Sequence, residues 1–107
     1  MRTHQEIDTR SLALARAVVA KIDADPSREG LRDARENCAR WLQTNPLRAI
    51  EEWQAILEQD WDHVRLVLLD ESENGKRLRQ SNPFCGVLSP RERWDIYEQF
   101  SHEHSTT

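Results

Sequence analysis

The residues that could do chemistry are few and scattered along the chain. Four histidines are present, His4, His63, His102 and His104. His102 and His104 flank Glu103 in a tail, HEHSTT, expected to fray, and two imidazoles alone close no metal site. His63 stands among Asp60, Asp62 and Asp70. Its neighbours at i−1 and i−3 leave a helix in different directions, so it reads as a surface histidine in an acidic stretch. Ser11, Ser81 and Ser89 lack the strained elbow that presents a nucleophile, and Ser89 reads better as a helix cap. Cys38 falls on an apolar stripe and is expected to be inert. Cys85, beside Gly86 and near Arg77 and Arg79 in sequence, is expected to be partly exposed, with only a weak case as a nucleophile. The carboxylates of Glu51-Glu52 and Asp70-Glu71 point apart on a helix and form no acid/base pair. Three glycines make no phosphate-cradling loop. No catalytic residue, cofactor or metal is expected, and an enzyme is disfavoured.

What remains is a surface. The chain has 107 residues, 37% hydrophobic and 32% charged, with a net charge of −4. That length supports one domain. No run approaches the ~18–20 apolar residues that span a bilayer, and MRTHQEIDTR lacks the apolar core of a signal peptide. Two cysteines build neither a disulfide scaffold nor a metal-ligand pair. A soluble protein of the reducing cytoplasm is the expectation. The charge is laid out in blocks: a net of +2 over residues 1–49, −7 over 50–75, +4 over 76–93 and −3 over 94–107. An acidic segment therefore runs straight into a basic one. Such a surface is either a solvated face with internal ion pairs or one shaped for a charged partner.

The elements that must position this surface are helices. Ile7, Leu14, Val18 and Ile22 recur at helical spacing, with small residues Ala13, Ala17, Ala20 and Ala24 on another face. Asp25-Pro26 is expected to end that helix and start the next, with Asp25 as N-cap and Pro26 at the first helical position. Leu31, Ala34, Cys38, Trp41 and Leu42 then make a core-facing stripe. Asn45-Pro46 repeats the punctuation, and Ile50, Trp53 and Leu57 follow Leu47 as a third stripe. Asp60 can cap a short helix from Trp61 to Asp70, whose LVLL run at 66–69 should be buried. Ser72 can cap another, which carries Leu78 and a basic face and is weakened by Gly75. In SNPFCGVLS, residues 81–89, Pro83 pushes Asn82 off helical angles and Gly86 permits a left-handed turn. Phe84, Val87 and Leu88 there either plug the core or form a sticky patch, and the need for buried area favours the plug. Ser89-Pro90 opens a last helix with Glu92 placed for a capping box, and Trp94, Ile96, Tyr97 and Phe100 are expected to face inward. The fold class is all-α: a single-domain bundle of five to six helices, three longer N-terminal helices with a short-helix C-terminal half, about 1–5 and 102–107 frayed.

Residues 61–82 also fit a helix-turn-helix, with Lys76, Arg77, Arg79, Gln80, Ser81 and Asn82 on the second helix. The acids at 70–73 and a pI of about 5.5 argue against nucleic acid. A protein partner suits a basic patch beside an acidic one better.

The segment RLRQSNPFCGVLSPRERWDIY, residues 77–97, resembles a C-terminal signature, RLRQ-S-x-PF-x-GVL-S/T-P-x-ERW, of short bacterial proteins of unknown function. SLALARAVVAKI followed by DP, residues 11–26, is similar to their N-terminal part. The resemblance covers most of the chain and marks Arg77, Arg79, Pro83, Phe84, Gly86, Arg93 and Trp94 as signature residues. By analogy of size and make-up, it implies a component of a toxin–antitoxin type of pair. The physical reading gives Pro83 and Gly86 the loop, Phe84 and Trp94 its anchoring, and Arg77 or Arg93 bonds to loop carbonyls or Glu92. The expected function is a non-catalytic protein-interaction module, antitoxin-like or accessory to a neighbouring gene's product, with a helix-turn-helix regulator as the alternative. Its candidate partner-binding residues are Arg77, Arg79, Gln80, Phe84 and Arg91.

Overall fold

Apolar stripes at helical spacing need one another to leave water, and the chain satisfies them by folding helix on helix. A computed structural model describes residues 4–105, with side chains described for residues 6–99. Six helices run through these residues: α1 (His4–Asp23), α2 (Glu29–Thr44), α3 (Arg48–Leu57), α4 (Trp61–Leu68), α5 (Glu73–Arg79) and α6 (Pro90–Ser105). No strand occurs among the described residues, so the all-α bundle is as expected. Its organisation centres on α1, which packs against α2, α4, α5 and α6, while α2 and α3 form the tightest pair. The final helix carries on to Ser105, past the point where the tail was expected to fray. The side chains of Phe100, His102 and His104 lie outside the described residues.

One core joins the helices. Val18 and Ile22 of α1 meet Leu31, Ala34 and Cys38 of α2, Ile50, Trp53 and Leu57 of α3, Val64 and Leu68 of α4 and Leu78 of α5. Trp53, fully buried, is the keystone: its indole N–H donates to the Leu78 carbonyl (2.8 Å), and its ring meets Phe84 edge-on at 6.0 Å. A buried indole without that acceptor would carry an unmet donor. Trp41 is half-buried, packed against the core rather than inside it.

Local capping chemistry sets most helix starts. Asp60 accepts from the His63 amide and Ser72 from the Gly75 amide, each opening its helix. Ser89 and Glu92 form a complete capping box: Ser89 Oγ accepts from the Glu92 amide and Glu92 Oε1 from the Ser89 amide. Two expected caps work differently. Asp25 accepts from the Ser27 amide, the Ser27 hydroxyl and the Glu29 amide. That fastens a turn over 25–28, so α2 starts three residues beyond Pro26, after Arg28 in a left-handed conformation (φ 53°). Such strain in a non-glycine residue costs on the order of 1–3 kcal/mol, offset here by the Asp25 bonds and by Arg28 donating to the Ile22 carbonyl. Asn45 ends α2, its amide donating to the Trp41 carbonyl, and Leu47 precedes α3.

Four apolar expectations fail. Leu47 is 51% exposed, because it stands before the first turn of α3 rather than on its buried stripe. Leu66 is 69% exposed, because α4 is only eight residues long and buries the Trp61–Val64–Leu68 stripe. Ile7 is 44% exposed, lying beyond the core cluster near the start of α1. Trp94 is 60% exposed, because α6 turns Ile96 toward the core instead.

Candidate protein-docking surface

The five residues expected to bind a partner do not form one patch. Arg79 is buried, 6% exposed. It donates through one terminal nitrogen to the carbonyls of Leu68 and Asp70, clasping α5 to the end of α4. Helix ends leave carbonyls without intrahelical partners; Arg79 satisfies the one on Leu68 and, beyond the helix, the one on Asp70, and it is no surface contact. Phe84 is buried too, 3% exposed against Trp53. The need to fill the core makes it the plug, and it is withdrawn from the contact set. Arg77 is half exposed, forked onto Glu52 (2.7 and 3.1 Å) and bonded to Asn74. That pairing holds the Glu52 carboxyl below its ordinary value. Gln80 is exposed beside Arg77 in a shallow cleft between α1 and α5, where Asp8, Glu71, Glu73 and Lys76 mix the charge. Arg91 is 84% exposed on α6, where it pairs with Asp95. The basic face of α5 is thus largely consumed inside the molecule: Lys76 also meets Asp8 and Glu73. That helix spans seven residues, with Gly75, Leu78 and Arg79 buried.

The 81–89 loop organises a different surface. Asn82 Oδ1 accepts from the Phe84 amide, and Pro83 is fully buried. Asn37 of α2 donates to the Pro83 carbonyl (3.0 Å), holding the loop to the bundle. Gly86 takes φ +91°, the left-handed region that the turn needs, with open space about it. Leu88 then returns to the core, leaving Cys85 and Gly86 at the exposed tip.

Beside that tip lies a cleft of about 280 Å³ between α1, the loop and α6. Ile7, Arg10, Ser11 and Leu14 line it from α1, Arg79 and Phe84 from below, and Arg93 and Tyr97 from α6. Arg10 stacks its guanidinium over the Tyr97 ring at 4.8 Å, a cation–π contact joining the two helices. A second hollow continues along α6, where Gly86, Leu88, Arg93 and Tyr97 are joined by Pro90 and Trp94. Its position is locked by Lys21 of α1, whose ammonium lies 2.7 Å from Glu92. That bond and the Ser89 amide bring the Glu92 carboxyl down to about 2 from an ordinary 4.5. At the far end of α1, Asp23 accepts from the Trp61 indole (2.6 Å) and from Arg65. The Trp61 bond first, then Arg65, lowers its pKa.

Arg10, Arg93, Trp94 and Tyr97 therefore gather where the sequence alone offered no patch. Arg93, Trp94 and Tyr97 share a face at steps of one and three. Ile7 and Arg10 share one at a step of three. Only the packing of α6 on α1 brings the two sets together. Cys38 is buried, its thiol donating to the Ile50 carbonyl (3.2 Å) and pushed up in pKa by desolvation. Among the described residues no group of His, Cys, Asp and Glu could hold a metal ion, and no helix is long and apolar enough to cross a membrane. Comparison with protein-family models, with curated proteins and with solved structures finds no match.

Proposed function

We propose that this chain is a non-catalytic protein-interaction module of the bacterial cytoplasm, antitoxin-like or accessory to a neighbouring gene's product. It docks through the face that α6 and the N-terminal half of α1 make around the 81–89 loop. One observation carries this reading: Trp94 stands 60% exposed next to Arg93 and Tyr97. Trp, Tyr and Arg are the types that dominate binding energy at protein interfaces. An exposed indole gains most from being covered. Arg91, one turn from Trp94, remains as a rim contact, which tunes association more than affinity, while Gln80 belongs to the separate cleft between α1 and α5.

The helix-turn-helix alternative draws less support. Its second helix, α5, buries Leu78 and Arg79 and has Lys76 and Arg77 paired with carboxylates. A recognition helix needs those donors turned outward for phosphates and base edges.

The test is co-expression with the product of the adjacent reading frame. Trp94→Ala should leave the fold intact and abolish the complex. A complex unchanged in that variant, or a salt-dependent shift of the operon's promoter DNA, would contradict the docking reading.

A further inference from the structure

The chemistry of the cleft narrows what its occupant can be. Three arginines line it, Arg10, Arg79 and Arg93, and no carboxylate does, in a protein whose net charge is −4. Elsewhere in the second half of the chain Arg65, Lys76, Arg77 and Arg91 each pair with an acid of this chain. Arg93 has no such partner among the described residues. Arg79, which lines both this cleft and the one between α1 and α5, is more than nine-tenths buried, and its Nε, closed off from solvent, finds no acceptor. Buried donors are nearly always satisfied, and a buried charge is screened far less than a surface one. Arg10 presents its flat face to Tyr97, which leaves the edge of the guanidinium as its hydrogen-bonding side.

We propose that this cleft receives an acidic peptide segment of the partner, with a carboxylate between Arg10 and Arg93 over the buried Arg79 charge. An adjacent apolar side chain of the segment lies against Trp94, in the hollow that continues along α6. The proposal rests on the docking role given above and names its partner's chemistry. Guanidinium groups match carboxylates in forked pairs. The cleft's ~280 Å³ suits one or two side chains, below the usual range for small-molecule sites. A long polyanion such as duplex DNA suits it less, since the segment 50–75, net −7, would repel the rest of it.

The experiment is selection of a random peptide display library on the folded protein, followed by titration of a synthetic selected peptide by tryptophan fluorescence. Selected sequences should carry at least two Asp or Glu beside an apolar residue. Arg93→Glu should weaken the peptide by about tenfold or more and reduce the salt dependence of association, while Arg93→Lys retains part of the binding. Circular dichroism should find Arg93→Glu fully folded, as Arg93 is exposed. Neutral or basic peptides that still need Trp94 would overturn the acidic occupant and leave the docking face standing. Peptides indifferent to Trp94 and Arg93 alike, or no enrichment, would overturn both. A wild-type dimer that Arg93→Glu converts to monomer would overturn the proposal in favour of a second copy of this chain.

Discussion

Replacing Arg79 with methionine removes a charged fork from a buried position while keeping an unbranched apolar stem of similar reach. Wild-type Arg79 donates to the Leu68 and Asp70 carbonyls at the end of α4. A hydrogen bond to a charged group contributes roughly 1.5–3 kcal/mol, and an orphaned buried acceptor loses about 1–3 kcal/mol. Against that, methionine abolishes the unmet Nε donor, which returns part of one such penalty. The net expected loss is about 2–4 kcal/mol, a large share of the ~5–15 kcal/mol that holds a domain of this kind together. Urea unfolding followed by fluorescence of the four tryptophans reads that loss directly, as does a fall in Tm on the order of 10–20 °C. Arg79→Lys should lie between the two, because the ammonium keeps the charge but not the planar guanidinium that sets the donor's position. A methionine variant within about half a kcal/mol of wild type, the range of an ordinary surface change, would refute the clasp.

Other outcomes follow from the same geometry. Trp53→Ala should lose roughly 3–5 kcal/mol by large-to-small arithmetic; Trp41→Ala, half-buried, should lose clearly less in the same denaturation series, and equal losses would mean α2 is turned differently. Under native conditions an aromatic disulfide reagent should label Cys85 at once and Cys38 only on unfolding, since one is exposed and the other buried with a raised pKa; equal rates would contradict that placement. Glu92 sits at about 2 in the folded protein and near 4.5 unfolded, so the folded state binds fewer protons between those values. Its contribution is complete above about pH 4.5 and lost as the pH falls toward 2. Glu92→Gln should therefore flatten urea midpoints over that acid window, and an unchanged slope would show that neither Lys21 nor the Ser89 amide holds the carboxylate.

The sequence made local chemistry legible and left long-range facing hidden. Asp60, Ser72 and the Ser89–Glu92 box act within four residues, so their types and spacing sufficed. Gly86 was readable for the same reason. Gly75 looked like a weakness in α5; a Cβ there would fall on the Asp70 carbonyl, so the close approach of two chain segments requires it. Leu66, Trp94 and Arg79 were misplaced because their facing depends on partners elsewhere in the chain. Arg79 reads as part of a basic surface run in the sequence, and only the fold brings the end of α4 within reach of its terminal nitrogen. Trp94 looked like an inward aromatic, yet α6 meets α1 through Tyr97 and Arg10, which rolls the indole outward. The candidate docking face is therefore a product of the α1–α6 packing. Single-helix periodicity carries no trace of it.

A protein partner seated on the Trp94 face would make the affinity of the adjacent gene's product differ between wild type and Trp94→Ala. Calorimetric titration of the two purified proteins should give a measurable complex with wild type. The variant should weaken it by about 2 kcal/mol or more, the loss typical of a central aromatic contact, with its own fold unchanged by circular dichroism. Equal affinities would contradict that seating.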